Sequence, residues 1–447
     1  MAMALPAVIT TSTRAAMDVA DFIMVARLPT EDAQAAILPA QVVMWSYIVF
    51  GLGVVAMVNT FAAQALGRKK EAECSAYAWQ GIYVSVFFGL LAGLVIGLVP
   101  GVVAWIGHEP GVQANEIAYM KVALLTTGPT LIAEGLGWFF IGIHKPRIPM
   151  WTALEAIVLN IIVAGALIFG WFGLPSMGIA GAAWGTLVAV CYRMVRLVLA
   201  FLSPAIHNVY RTRDTWRPSF SRMANLFRVG IPCGLQFTSE VVVWAIFVTF
   251  LVGKNFGTHH LIATNAAWQY MRLAFMPTLG AGRALTALVG KSIGEGNPAR
   301  AKRETRIAAV ITTLYMLVLS LTYLIFGEQL IFLMTRSEDA ARIGRPIMVC
   351  AAVFQLFDAW AITYTASLRG AGDTFIPSIF FVASHWIIIV GGGWWIAERF
   401  PEMGSLGPWI AASLLIGVTA VFLIWRWYGE AWRKIDLFSA TSATPVP

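Results

Sequence analysis

Charge is scarce in this chain: Asp, Glu, Lys and Arg make up 12% of its 447 residues, about half the share of a soluble domain, so water is not its main solvent. Nucleotide-driven chemistry has no visible basis, because no phosphate-binding Gly-x-x-x-x-Gly-Lys loop occurs, and Gly391-Gly392-Gly393 falls inside an apolar span. There is no H-E-x-x-H run, no Ser/His pairing and no acidic metal cluster. His108, His144, His207, His259 and His260 fall at expected loops or helix ends, and His385 stands alone. An enzyme is therefore not expected, and no catalytic residue is named. The four cysteines, Cys74, Cys191, Cys233 and Cys350, are far apart without C-x-x-C spacing, which excludes a zinc finger and a disulfide framework.

What the chain has instead is apolar length. Hydrophobic residues form 59% of it and the mean hydropathy is +0.74. Runs such as Tyr83–Ile106, Leu154–Met177 and Ile307–Phe326 can each cross about 30 Å of hydrocarbon as a helix. Breaks in the pattern predict helices near 5–27, 33–65, 74–99, 115–142, 148–171 and 177–202. After a basic stretch they predict 226–253, 258–291, 301–326, 341–368, 374–397 and 406–428. The fold class expected is an all-α integral membrane protein with twelve spans. The first apolar stretch holds Arg14, Asp18 and Asp21 and reads as mature structure rather than a signal peptide. The few residues before it are what a truncated start would leave.

The net charge of +8 resides mainly in alternate loops. Roughly seventeen basic residues, among them Arg68, Lys69, Lys145, Arg300 and Arg433, lie on one side against about six on the other, which places both termini in the cytoplasm. Such loop charges set topology, and nucleic-acid binding is not expected. The halves share sequence at an offset of about 226 to 228 residues: Leu5-Pro6 with Ile231-Pro232, Gln64-Ala65-Leu66-Gly67 with Lys291-Ser292-Ile293-Gly294, Ile148-Pro149 with Ile376-Pro377, and Met177-Gly178 with Met403-Gly404. Because each half has an even number of spans, the repeats are parallel. The organisation expected is a six-helix lobe over 1–205, a cytoplasmic linker at 206–225, a second six-helix lobe over 226–430 and a cytoplasmic tail at 431–447.

In order along the chain, Leu5-Pro6 with Asp21-Phe22-Ile23, Gln64-Ala65-Leu66-Gly67, Leu159-Asn160-Ile161, Gly178-Ile179-Ala180-Gly181, Gly230-Ile231-Pro232 with Glu240, and Asp358 with Leu368-Arg369-Gly370-Ala371-Gly372-Asp373 make the sequence resemble the MATE (multidrug and toxic compound extrusion) family, with features of its NorM-like branch. The resemblance implies two six-helix lobes about a central cleft. It also implies export of small organic, drug-like cations in exchange for H⁺ or Na⁺ by a rocker switch, with no cofactor. Departures from the pattern are Ala164, where relatives carry an aspartate, together with Asp18, Phe354 and Arg283. Alternatives are a flippase for lipid-linked saccharides, an exporter of organic anions, and a passive channel.

A carboxylate at membrane depth costs about 2.5 to 3.5 kcal/mol on insertion scales, so each one needs a reason. Asp21, Glu240 and Asp358 lead the candidates for cation coupling, with Asp18 and Asn160 beside them, and Na⁺ is admitted at Glu240 with Asp358. Arg14, Asp18 and Asp21 share a helix face at i, i+4 and i+7, so Arg14 can neutralise Asp18 and leave Asp21 to load a cation. Glu240 has no basic residue within eight positions. Arg283, Arg14 and Gln355 are the candidates for solute contact, Arg283 also as a partner for Glu240 or Asp358. The expected partners are a small-molecule substrate and the lipid bilayer, the expected state a monomer, and the expected location the bacterial inner membrane.

Overall fold

Proline, glycine and a cluster of three charges shape the spans of the computed structural model, which describes residues 3–25, 27–28 and 31–439; residues 440–447 of the expected tail lie outside the described residues. No strand occurs among the described residues. The first six spans are α1 (Ala4–Val25), α2 (Glu31–Val55 continued by Met57–Gly67), α3 (Glu71–Ile106), α4 (Pro110–Leu125 and Thr127–Gly142), α5 (Arg147–Phe169) and α6 (Ile179–Phe201). After a short helix, Pro204–Tyr210, come α7 (Phe220–Lys254), α8 (Thr258–Gly294), α9 (Pro298–Thr335), α10 (Glu338–Ala371), α11 (Phe375–Arg399) and α12 (Leu406–Tyr428).

Ten of these are long and apolar enough to cross a membrane as they stand, and the bent pair forming α4 makes an eleventh. The twelfth is α1, where every window long enough to cross contains Arg14, Asp18 and Asp21. The charges that hide α1 from a hydropathy test are those singled out for function. Helix ends outrun the apolar runs: α9, expected over 301–326, has 38 residues and a length of ~57 Å. Pro298 opens it, and the Asn297 side chain accepts a hydrogen bond from the Arg300 backbone at 3.0 Å. The two halves of α4 meet at 43°. Pro129 lacks the N–H that would bond the Leu125 carbonyl, which breaks the ladder at that point.

The chain divides into two compact units, Met1–Gly234 with Leu437–Pro447, and Leu235–Asp436. In the first, Phe61 stacks on Tyr77 at 4.1 Å, Phe139 meets Phe201 edge-on at 5.1 Å, and Phe438 stands edge-on to both Phe61 and Tyr77. Helices α5 and α6 touch through backbone, since a Cβ on Gly185 would come within 2.5 Å of the Ala164 Cβ. In the second unit Trp244 packs against Trp268 at 4.3 Å and Phe247 against Trp409 at 5.3 Å. There the end of α7 (Phe247–Lys254) and the middle of α11 (His385–Gly392) are π-helical, a geometry that widens the turn by one residue.

The sequence repeat has a backbone counterpart. Gly178 enters α6 at φ 54°, ψ −132°, and Gly404 precedes α12 at φ 56°, ψ −144°. A side chain is strained in that region, so the recurrent Met-Gly pairs preserve one helix-entry turn in each half.

Candidate functional site

In the first unit the site begins with the way α1 satisfies its own polar groups. Thr10, Thr11 and Thr13 donate to the carbonyls of Pro6, Ala7 and Ile9 at 2.8, 2.9 and 2.7 Å, so three hydroxyls are disposed of locally. Asp21 has no such outlet. It is 3% exposed, and its Oδ2 accepts a hydrogen bond from Thr186 on α6 at 2.7 Å. Thr186 Oγ1 in turn accepts from the amide of Asn160 on α5 at 3.4 Å, and Asn160 is fully buried. Three helices thus converge on one carboxyl. Asp21 Oδ1 and Asn160 Oδ1 remain buried without a hydrogen-bond partner among the described residues, two acceptor atoms open to a proton, a water or a small cation.

One turn along α1, Arg14 Nε lies 3.4 Å from Asp18 Oδ1, and its guanidinium covers the Trp45 ring at 4.8 Å from the centroid. These groups, with Tyr119 and Thr186, border a cavity of about 40 Å³. Ala164, one turn beyond Asn160, is buried and packs so closely on α6 that a Cβ on Gly185 would come within 2.5 Å of its Cβ.

In the second unit Glu240 on α7 is half-buried and Asp358 on α10 is 7% exposed. The two are within Coulombic reach of each other, and Arg369 is within reach of Glu240. Neither carboxyl has a hydrogen bond or ion pair among the described residues. The polar groups beside them are ordered: Arg369 donates to Gln236 Oε1 at 3.2 Å, Ser378 donates to the same oxygen at 3.2 Å, and the Arg369 guanidinium covers Phe237 at 4.7 Å. Trp386 on the π-helical part of α11 donates to Ser239 at 3.0 Å. Among the described residues no group of three His, Cys, Asp or Glu side chains could hold a metal ion.

The remaining candidates are dispersed within the second unit. Gln355 is fully buried, its amide donating to the Met271 carbonyl of α8 at 3.4 Å while Oε1 has no partner among the described residues. Arg283 is half-buried on α8, beside Gly282, which packs against Ile362 of α10. Reading the sequence missed Thr186, Gln236 and Ser378. The available signal was a lone hydroxyl or amide within an apolar helix, which marks a polar contact but not its partner. In the sequence Arg369 stands out only as part of the Leu368–Asp373 motif.

The MatE family model matches residues 6–166 and 232–395, one match in each half. The chain is 29% identical to the probable multidrug resistance protein NorM of Rhizobium meliloti (strain 1021), over 96% of this chain and 92% of that protein. It is 24% identical to the protein of the same name from Neisseria meningitidis serogroup A, over 95% and 92%. A crystal structure of MATE in complex with MaL6 superimposes with a TM-score of 0.88 at 20% identity, over 97% of this chain and 96% of that one. The eukaryotic MATE transporter AtDTX14 gives 0.85 at 18% identity, over 99% and 97%. With both halves matched, the chain is a multi-pass membrane transporter of the MatE family.

Proposed function

We propose that this transporter is a secondary antiporter that exports small, drug-like organic cations in exchange for H⁺ or Na⁺, alternating between inward- and outward-open states. The observation that carries the proposal is Asp21, a buried carboxyl held from α6 and backed from α5, with one oxygen left open. A group so placed costs free energy unless it is neutralised. A proton or a small cation supplies the neutralisation in one state and leaves in the other, which makes the carboxyl a coupling device. Glu240 and Asp358, two carboxyls without a hydrogen bond or ion pair among the described residues, form a second candidate. The names of the NorM relatives and the absence of a nucleotide motif support secondary multidrug export. The location that fits is the bacterial inner membrane, with both termini cytoplasmic on the loop-charge asymmetry, the lobes as delimited by sequence, and a monomer as the working unit.

A second reading, export of organic anions, draws on Arg14, a permanent cation beside the Asp21 cavity. Ethidium retention in energised cells separates the two. Cells expressing the wild type should retain less dye, and Asp21→Asn or Glu240→Gln at equal membrane abundance should abolish the difference. If wild type moves no ethidium but lowers retention of an anionic dye, the anion reading replaces the first.

A further inference from the structure

The first-unit cavity has the ingredients of an organic-cation site, an indole face and two carboxylates, yet it is small. Its volume of about 40 Å³ holds about three waters at roughly 10 to 15 Å³ each, whereas drug-sized ligands occupy cavities of about 300 Å³ and more. What fills the space is part of the protein. Arg14 lies over Trp45 at 4.8 Å and 3.4 Å from Asp18, so one guanidinium takes both the aromatic face and the carboxylate that a quaternary cation would use. Asp21 faces the same cavity and is held by Thr186 instead of an ion pair. Tyr119 also borders it.

We propose that Arg14 is a tethered cation that closes the first-half cavity to organic cations and leaves it to protons and water-sized ligands. The organic solute then binds elsewhere on the protein, and Arg14 separates the ion site from the solute by occupying the wall that both could use. The proposal deepens the reading of Asp21 as a cation site and rests on it. It makes Arg14 a specificity-determining residue, with a role opposite to recognition of an anionic solute.

The test is equilibrium binding of tetramethylammonium, a quaternary cation small enough for the space an arginine side chain vacates, to the full chain in lipid nanodiscs. Arg14→Ala should bind the probe about tenfold more tightly than wild type, the scale of a vacated cation–π face. Trp45→Leu in the Arg14→Ala background should remove that gain, and Arg14→Lys, which keeps a tethered cation, should resemble wild type. Size-exclusion profile and thermal midpoint confirm that each variant is folded. The proposal is overturned if folded Arg14→Ala binds the probe no more tightly, or if its gain survives loss of Trp45. It is also overturned if wild type binds benzoate and Arg14→Ala does not, since Arg14 is then an anion-recognising group. Loss or retention of ethidium export in Asp21→Asn judges the coupling reading separately, because the binding comparison needs no transport.

Discussion

Replacing Thr186 by valine keeps the shape of the side chain and removes one hydroxyl that serves two partners. The bond to Asp21 is short at 2.7 Å, and with a charged acceptor such a bond is worth about 1.5 to 3 kcal/mol. The contact from Asn160, at 3.4 Å, is near the limit of hydrogen bonding and adds a few tenths of a kcal/mol at most. Within membranes interhelical bonds average about 0.6 kcal/mol because lost partners are partly replaced, but Asp21 is 3% exposed and its other oxygen already lacks a partner. We therefore take about 2 kcal/mol, equivalent to roughly thirtyfold in an equilibrium constant. If the bond exists in one transport state only, the variant shifts the balance of states by that factor and slows cation-driven dye efflux from inverted vesicles by at least about tenfold. Thr186→Ser, which restores the hydroxyl, should recover most of the rate. Full efflux by Thr186→Val at equal abundance refutes the argument, and so does a defect that serine shares.

Two further outcomes follow from packing and charge. Ala164→Asp should lower the thermal midpoint and membrane abundance, because α5 and α6 meet there so closely that even a Cβ on Gly185 would lie within 2.7 Å of Ala164, and overpacking costs about 1 to 3 kcal/mol. Arg426→Gln should destabilise the second unit by about 3 to 5 kcal/mol, since Asp373, 2% exposed, has its Oδ2 held at 2.8 Å by Arg426. Combining it with Asp373→Asn should return part of that loss in chemical unfolding.

The features legible in the sequence were those that act locally. Twelve spans followed from apolar runs and the breaks between them, α1 among them although Arg14, Asp18 and Asp21 disqualify it on a hydropathy window alone. The i, i+4 spacing also pointed to the Arg14–Asp18 pair, found at 3.4 Å. What escaped depends on distant chain segments. Thr186 reads like Thr10, Thr11 and Thr13, which bond their own helix, and only its approach to Asp21 across 165 residues sets it apart. Gln236, Ser378 and Arg369 come together from three helices in the same way. The kink in α4 was available in Gly128-Pro129, but span prediction by average hydropathy passes over it. The π-helical stretches in α7 and α11 have no local signature in Phe247–Lys254 or His385–Gly392.

The central claim is coupling, and reconstitution into proteoliposomes tests it directly. With an imposed pH or Na⁺ gradient and equal dye on both sides, wild type is predicted to accumulate ethidium against its own gradient. Dissipating the ion gradient should stop accumulation, and Asp21→Asn or Glu240→Gln should prevent it. Dye movement that only equilibrates, at the same rate with and without either ion gradient, would contradict the account and leave a passive pathway in its place.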